Sequence, residues 1–209
     1  MQMVATASIP LTLIRRRDIG GDDTVRPMAR RVLMVCTANV CRSPMAAGLL
    51  LHHARQAGHD VVVTSAGTRA FDLPVDAVAV KAVRDLGADI SAHVPRQVSK
   101  QILDTEGADL IVTMTREHLR AVVSSHASIF ARTFTLREIL RRSGAYTHPD
   151  ASWSEWLDRT AEGRRASDLM GDNGDDDVSD PYGLGRARVN ATAADLDLFT
   201  RQLVKAVPW

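Results

Sequence analysis

The sequence predicts an α/β protein, a three-layer sandwich on a four-stranded parallel sheet. Three observations carry this reading. Short apolar runs of strand length recur near 31–35, 60–64, 109–113 and 132–135. Helical patterns lie near 43–57, 74–87, 97–103, 115–125 and 136–142, and a last one near 190–206. Strands that alternate with helices pair in parallel and carry helices on both faces. With 45% apolar residues in a chain of 209, there is enough to fill one core.

The first strand and the turn after it hold the strongest chemical signal. Val32 to Val35 reads as a buried parallel strand. It runs into Cys36-Thr37-Ala38-Asn39-Val40-Cys41-Arg42-Ser43-Pro44, a cysteine and an arginine with five residues between them. Ser43 suits a helix N-cap and Pro44 the first helical position, so a helix is expected from there to about residue 57. Such a turn aims backbone N–H groups and a positive helix end at one point, a nest for phosphate-like anions. Arg42 adds a planar fork of donors matched to two phosphate oxygens. Cys36 lies at the base of that field, where a thiol ionises more readily and acts as a nucleophile. The Ser43 hydroxyl can hydrogen-bond the same sulfur.

A phosphate ester also needs its leaving oxygen protonated. Val178-Ser179-Asp180-Pro181-Tyr182-Gly183 offers Asp180, held in a stiff loop because proline disfavours helix at the residue before it. The same Asp-Pro pair is also a common turn opener. Of the neighbouring aspartates, Asp172, Asp175, Asp176 and Asp177 read as solvated loop. The segment from Gly171 to Val178 reads as a flexible acidic linker.

Between 143 and 177 the pattern is less regular. Ser152-Trp153-Ser154-Glu155 is a capping box, and Trp153, Trp156 and Leu157 form one apolar face. This predicts an added helix packed beside the active-site end, the alternative being a substrate lid or docking surface. The last helix presents Leu196, Leu198, Phe199, Leu203 and Val204 at mostly helical spacing. Residues 1–30 read as a disordered tail ahead of a domain spanning 31–209. There an apolar stretch, Ile9 to Ile14, precedes Arg15-Arg16-Arg17, the reverse of a signal peptide's charge order, and is too short to span a bilayer. Met28 is an alternative translation start.

Taken together, these motifs resemble the low-molecular-weight protein tyrosine phosphatases. The resemblance runs from about Arg31 to the C-terminus. It rests on Cys36 to Pro44, on Thr64-Ser65-Ala66-Gly67-Thr68, on Ala92-His93-Val94-Pro95-Arg96-Gln97, on Asp109 to Thr115, and on Asp180-Pro181-Tyr182-Gly183. It implies a flavodoxin-like, phosphotyrosine phosphatase I-like fold. It implies a phosphate loop of Cys36, Thr37, Ala38, Asn39, Val40, Cys41 and Arg42, with Cys36 as nucleophile, Arg42 as transition-state clamp and Asp180 as general acid. Asn39, Ser43, Ser65 and His93 would hold the loop in shape, a structural duty for His93. Phe71 and Tyr182 would be facing aromatic walls of the substrate cleft, although Phe71 by itself reads equally as a core residue. The activity implied is hydrolysis of phosphotyrosine through a phosphocysteine, with no cofactor and no metal. The implied partner is a phosphotyrosine protein; bacterial members often act on tyrosine kinases that control exopolysaccharide export. Three departures stand out. Phe71-Asp72-Leu73-Pro74 lacks the family's glycine, Gly183 replaces a second tyrosine found in several members, and the stretch before the acid loop is long.

Composition narrows the remaining classes. A net charge of +1 argues against bulk nucleic-acid binding. Cys36 and Cys41 are the only cysteines, which suits neither a zinc site nor a secreted disulfide framework and fits a reducing, cytoplasmic setting. Cys41 reads either as a partner that captures oxidised Cys36 or as a packing residue. The seven histidines are scattered and suggest no metal site. Two other functions fit the same loop. One is arsenate reduction on this fold with a small-molecule thiol, the other a non-enzymatic phosphate-binding module.

Overall fold

The computed structural model describes residues 29–209, except 70, 106, 145–150 and 170–173. Nearly all of the expected N-terminal tail therefore lies outside the described residues. Arg30, counted with that tail, opens the first strand.

Four parallel strands form one sheet: β1 (Arg30–Cys36), β2 (Val61–Gly67), β3 (Leu110–Thr113) and β4 (Thr133–Thr135), in the order β2-β1-β3-β4. β1 is central because its residues are apolar on both faces. Val32 and Met34 enter one buried cluster, and Leu33 and Val35 enter the other. The first face is covered by α1 (Arg42–Gln56), α2 (Ala77–Arg84), α5 (Leu136–Ser143) and α7 (Arg186–Ala206). The second is covered by α3 (Lys100–Thr105) and α4 (Arg116–Ser125). This is the three-layer sandwich that the alternation predicts. Met34, Leu49, Leu50, Ile111 and Phe134 are wholly buried. Each such side chain contributes about 1.5–3 kcal/mol of transfer free energy.

The chain order sets the site. β2 adds on one side of β1, and the chain then crosses to add β3 on the other. The C-terminal end of β1 is thus a topological switch point, where open α/β sheets bind ligands.

Several boundaries differ from the sequence reading for local reasons. α1 begins at Arg42 rather than at Pro44, and Cys41 takes the N-cap position without a side-chain hydrogen bond. Ser43 does not cap the helix, because its hydroxyl is engaged beneath the turn. α2 starts at Ala77 because Asp76 caps it, its Oδ1 accepting from Ala79 N at 2.8 Å. α3 starts at Lys100 rather than 97, since Gln97 forms a parallel bridge with Gly67. A 3-10 turn over Ala127–Arg132, absent from the sequence reading, leads into β4. α7 begins at Arg186, after Gly185 turns the chain with φ 85. On α7, Leu196 and Leu203 are buried, but Leu198 is 52% exposed and faces outward.

The added helix α6 (Trp153–Ala161) forms with its capping box intact. Its place overturns one expectation. Trp153 stacks under the Arg30 guanidinium at 4.7 Å, and lies 5.5 Å from Trp156 and 6.2 Å from Trp209. Arg30 is the first residue of β1, so α6 sits at the foot of the sheet, opposite Cys36. The reason is in the chain after α6. Arg164 is buried between Phe130 and Phe134, donates to Phe130 O and Thr133 O, and pairs with Glu138 at 2.8 Å. Phe130 and Thr133 lie at the entry of β4, Phe134 lies within it and Glu138 is on the first turn of α5, and together they hold the segment there.

Candidate functional site

Residues 37–41 turn tightly between β1 and α1, and Asn39 supports the turn. Its φ is 59, the left-handed region that asparagine tolerates better than most residues. Its side chain is fully buried and uses both ends. Nδ2 donates to Ser43 Oγ at 2.9 Å and to Ser65 Oγ at 2.8 Å, while Oδ1 accepts from Arg96 N at 3.0 Å. Its carbonyl accepts from His93 Nε2 at 2.9 Å. That bond requires the hydrogen on Nε2. Burial, with the Arg96 charge adding to it, holds His93 below the usual histidine range despite this hydrogen bond. The ring acts as a neutral strut.

Cys36 ends β1. Its Sγ lies 2.9 Å from Ser43 Oγ. Ser43 already accepts from Asn39, so its own hydrogen is available to the sulfur or to Ala66 O at 3.4 Å. Gly67 seals the underside. A β-carbon there would lie 2.4 Å from Thr37 O and 2.9 Å from Ala38 C. Only glycine lets β2 pass this close.

Arg42 reaches across the pocket. Nη1 donates to Val178 O at 3.1 Å, and Nη2 donates to Asp180 Oδ2 at 2.6 Å and to Thr37 Oγ1 at 3.3 Å. Asp180 Oδ1 also accepts from Tyr182 N at 3.1 Å. One guanidinium thus joins residues 36–42 to a loop 138 residues further on. An incoming phosphate would compete with Asp180 for the same fork.

The pocket that results is lined by Cys36, Thr37, Ala38, Val40, Cys41 and Arg42 below and by Phe71, Leu73, Asp180 and Tyr182 above. Phe71 is 47% exposed and Tyr182 50%, so both are available to a ligand and Phe71 is not a core residue. Every sequence-derived site residue is therefore in the pocket or in the hydrogen-bonded layer beneath it. Cys41 is buried and unpaired. Burial above all, with the charges of Asp76 and Asp180, pushes its thiol up to about 12. It stays protonated and is a poor nucleophile.

The loop that carries Asp180 is anchored from Asp176 onward, which corrects the reading of that part of its approach as a flexible linker; residues 171–173, with Asp172, lie outside the described residues. Asp176 is buried and accepts from Arg141 at 2.8 Å and Arg116 at 3.4 Å. Asp177 Oδ1 accepts from Arg116 N at 2.8 Å, and Val178 N donates to Met114 O at 2.8 Å. These two aspartates tie the segment to α4 and α5, and are not solvated loop.

Leu73 on the pocket wall and His118 behind it are outside the sequence-derived set. His118, on the first turn of α4, is 3% exposed and touches Thr37 Oγ1 through Nε2 at 2.8 Å. Its Nδ1 lies 2.9 Å from Thr115 Oγ1, the cap of α4. Burial first, then the charges of Arg42 and Arg69, lowers its pKa from 6.5 to about 3. The signal was a cap threonine followed three residues later by a histidine. Among the described residues, no cluster of His, Cys, Asp or Glu could hold a metal ion, and no helix is long and apolar enough to cross a membrane.

A cysteine sulfur at a strand-to-helix turn, with an arginine fork lining the same pocket, is an arrangement suited to a cysteine-dependent phosphatase. Residues 31–150 match the low molecular weight phosphotyrosine protein phosphatase family. A probable low molecular weight protein-tyrosine-phosphatase, EpsP of Ralstonia solanacearum, is 38% identical over 113 residues, 54% of this chain and 74% of that protein. A protein-arginine-phosphatase of Bacillus subtilis is 34% identical over 114 residues, 54% of this chain and 73% of its own. The crystal structure of the low molecular weight protein tyrosine phosphatase from T. tengcongensis superimposes with a TM-score of 0.63 at 29% identity, covering 84% of this chain and 98% of its own. The chain belongs to the low-molecular-weight protein-tyrosine-phosphatase family of hydrolases.

Proposed function

We propose that the chain hydrolyses phosphotyrosine in proteins, with Cys36 as nucleophile, Arg42 as phosphate clamp and Asp180 as general acid. One observation carries this: Arg42 binds Asp180 at 2.6 Å across the pocket whose floor is Cys36. The Cys36 sulfur attacks phosphorus as the bond to the phenolic oxygen breaks, and Asp180 gives that oxygen its proton. The Asp180 carboxylate then takes a proton from water, whose oxygen attacks phosphorus, breaks the sulfur–phosphorus bond and releases inorganic phosphate. Arg42 and the N–H groups of residues 37–42 hold the equatorial oxygens as charge develops.

The relatives include phosphatases named for tyrosine and for arginine. The wall of this pocket favours an aryl ester. Val40, Phe71, Leu73 and Tyr182 are apolar or aromatic, and among the described lining residues Asp180 is the one carboxylate. A phosphorylated guanidinium would need a further acceptor, whereas a flat phenyl ring needs area and stacking partners. The partner we propose is a phosphotyrosine protein in a reducing cytoplasm, where both free thiols persist. An autophosphorylated bacterial tyrosine kinase of exopolysaccharide export is the first to test.

The experiment compares p-nitrophenyl phosphate, a phosphotyrosine peptide and a phosphoarginine peptide with the parent, Cys36→Ser and Asp180→Asn. Cys36→Ser should lose turnover yet keep phosphate binding. Asp180→Asn should slow aryl esters by ~10²–10⁴-fold. Parent-like turnover by Asp180→Asn would remove Asp180 as the acid. A preference for phosphoarginine would replace the substrate.

A further inference from the structure

The Thr37 hydroxyl is a junction with too many partners for one hydrogen. It accepts from Arg42 Nη2 at 3.3 Å and lies 2.8 Å from His118 Nε2. Its residue also lines the pocket beside Cys36. What its own hydrogen does depends on His118, which carries one ring hydrogen when neutral. The ring is buried and contacts two hydroxyls, Thr37 at Nε2 and Thr115 at Nδ1. Thr115 Oγ1 already accepts the backbone N–H of His118 as cap of α4. The Thr115 hydrogen is then free to point at Nδ1. With Nδ1 an acceptor, the ring hydrogen sits on Nε2 and is donated to Thr37. In that tautomer Arg42 and His118 fill both Thr37 lone pairs, which leaves the Thr37 hydrogen for a ligand in the pocket it lines.

We propose that His118 is a positioning residue for this reaction, acting through Thr37 to steady the Arg42 fork and to turn the Thr37 hydroxyl hydrogen toward the phosphate. The inference rests on the phosphatase reading above. It deepens that reading by adding a second layer behind the clamp. The relay runs from the cap of α4 through the imidazole and the hydroxyl to the guanidinium. It spans 81 residues of sequence between Thr37 and His118. Because the ring is neutral, it neither gives nor takes a proton during turnover. Its effect is geometric, so it belongs in kcat, where the transition state is held, more than in KM.

The test uses the full chain and p-nitrophenyl phosphate with the variants Thr37→Val, His118→Leu, His118→Gln and the pair Thr37→Val/His118→Leu. Losing one buried hydrogen bond to the clamp should lower kcat about tenfold in each single variant, with KM moved less. The pair should be no worse than Thr37→Val by more than about twofold, since both changes cut one relay. Glutamine can return a donor to the Nε2 position, and should restore most of the loss. A merely structural histidine would instead add its loss to that of Thr37→Val, and glutamine would not rescue kcat. Should His118→Leu fail to fold, parent-like kcat in Thr37→Val overturns the inference by itself. Ring nitrogen shifts of His118 in the parent give an independent reading. A hydrogen on Nε2 supports the relay, and a hydrogen on Nδ1 overturns it. An inactive parent would mark failure of the phosphatase reading, with the ring tautomer still deciding the relay. An active parent with indifferent variants would mark failure of the relay alone.

Discussion

Replacing Gly67 by alanine adds one methyl group at the point where β2 passes beneath the turn over residues 37–41. That carbon would sit 2.4 Å from Thr37 O, 2.9 Å from Ala38 C and 3.0 Å from Asn39 N. Carbon contacts are comfortable at about 3.5–4.0 Å, so roughly 1 Å of separation must be found. Gly67 cannot supply it. Its N donates to Arg96 O at 2.8 Å, and its O accepts from Val98 N at 2.7 Å. Thr37 O is itself held by Arg69 N at 3.0 Å. With both sides pinned, the added methyl strains the turn that carries Thr37 and adjoins Cys36. Overpacking of this kind costs about 1–3 kcal/mol, which lowers the melting temperature by a few degrees in a domain of this size. If Cys36 is the nucleophile proposed above, a displacement near 1 Å there costs ~10²-fold in rate. Gly67→Ala should therefore fold, melt slightly early and lose about two orders of magnitude in kcat/KM on p-nitrophenyl phosphate. A well-folded Gly67→Ala with parent-like kcat/KM would refute the claim that this contact sets the loop.

Two further predictions concern the layer behind the pocket. Asn39→Ala removes three side-chain hydrogen bonds and leaves alanine at φ 59; urea unfolding should show a loss of about 3–4 kcal/mol, and a loss under about 1 would mean the loop holds its shape without them. For His118, the ring takes its proton near 6.5 unfolded and near 3 folded, so the unfolded chain binds more protons between those values. Stability from this residue is complete above pH 6.5 and is lost as the pH falls toward 3, by about 2 kcal/mol between pH 7 and 5. His118→Gln should flatten that part of the pH–stability curve, and an unchanged curve would place the titration elsewhere.

Much of the site was legible because its parts are local in sequence. Cys36, Asn39, Arg42 and Ser43 lie within one turn, and a strand, a turn and a helix start can be read from neighbouring residues alone. Asp180-Pro181 by itself reads equally as a turn, and it was the family resemblance that placed Asp180 over the pocket, where it meets Arg42. What stayed hidden was long-range. Ser43 looks like a cap from its neighbours, but Asn39 and Cys36 claim its hydroxyl from below. His118 had no distinguishing neighbour except Thr115, and its partner Thr37 is in another element. Asp176 and Asp177 looked like solvated charge in an acidic run, but Arg116 and Arg141 fold back onto them. The site of α6 was misjudged because its anchors, Arg30, Trp209 and the Arg164 partners, are spread across the chain. An apolar stripe shows that a helix is buried, but not which end of the sheet it covers.

The stack of Arg30, Trp153 and Trp209 gives the molecule a back and a front. Any tether fixed at Ala29 leaves the body at the pole where these side chains sit, away from Cys36. Immobilised through that end on a bead or a biosensor chip, the enzyme would turn its pocket to the solution. A bulky protein substrate could then dock without meeting the support.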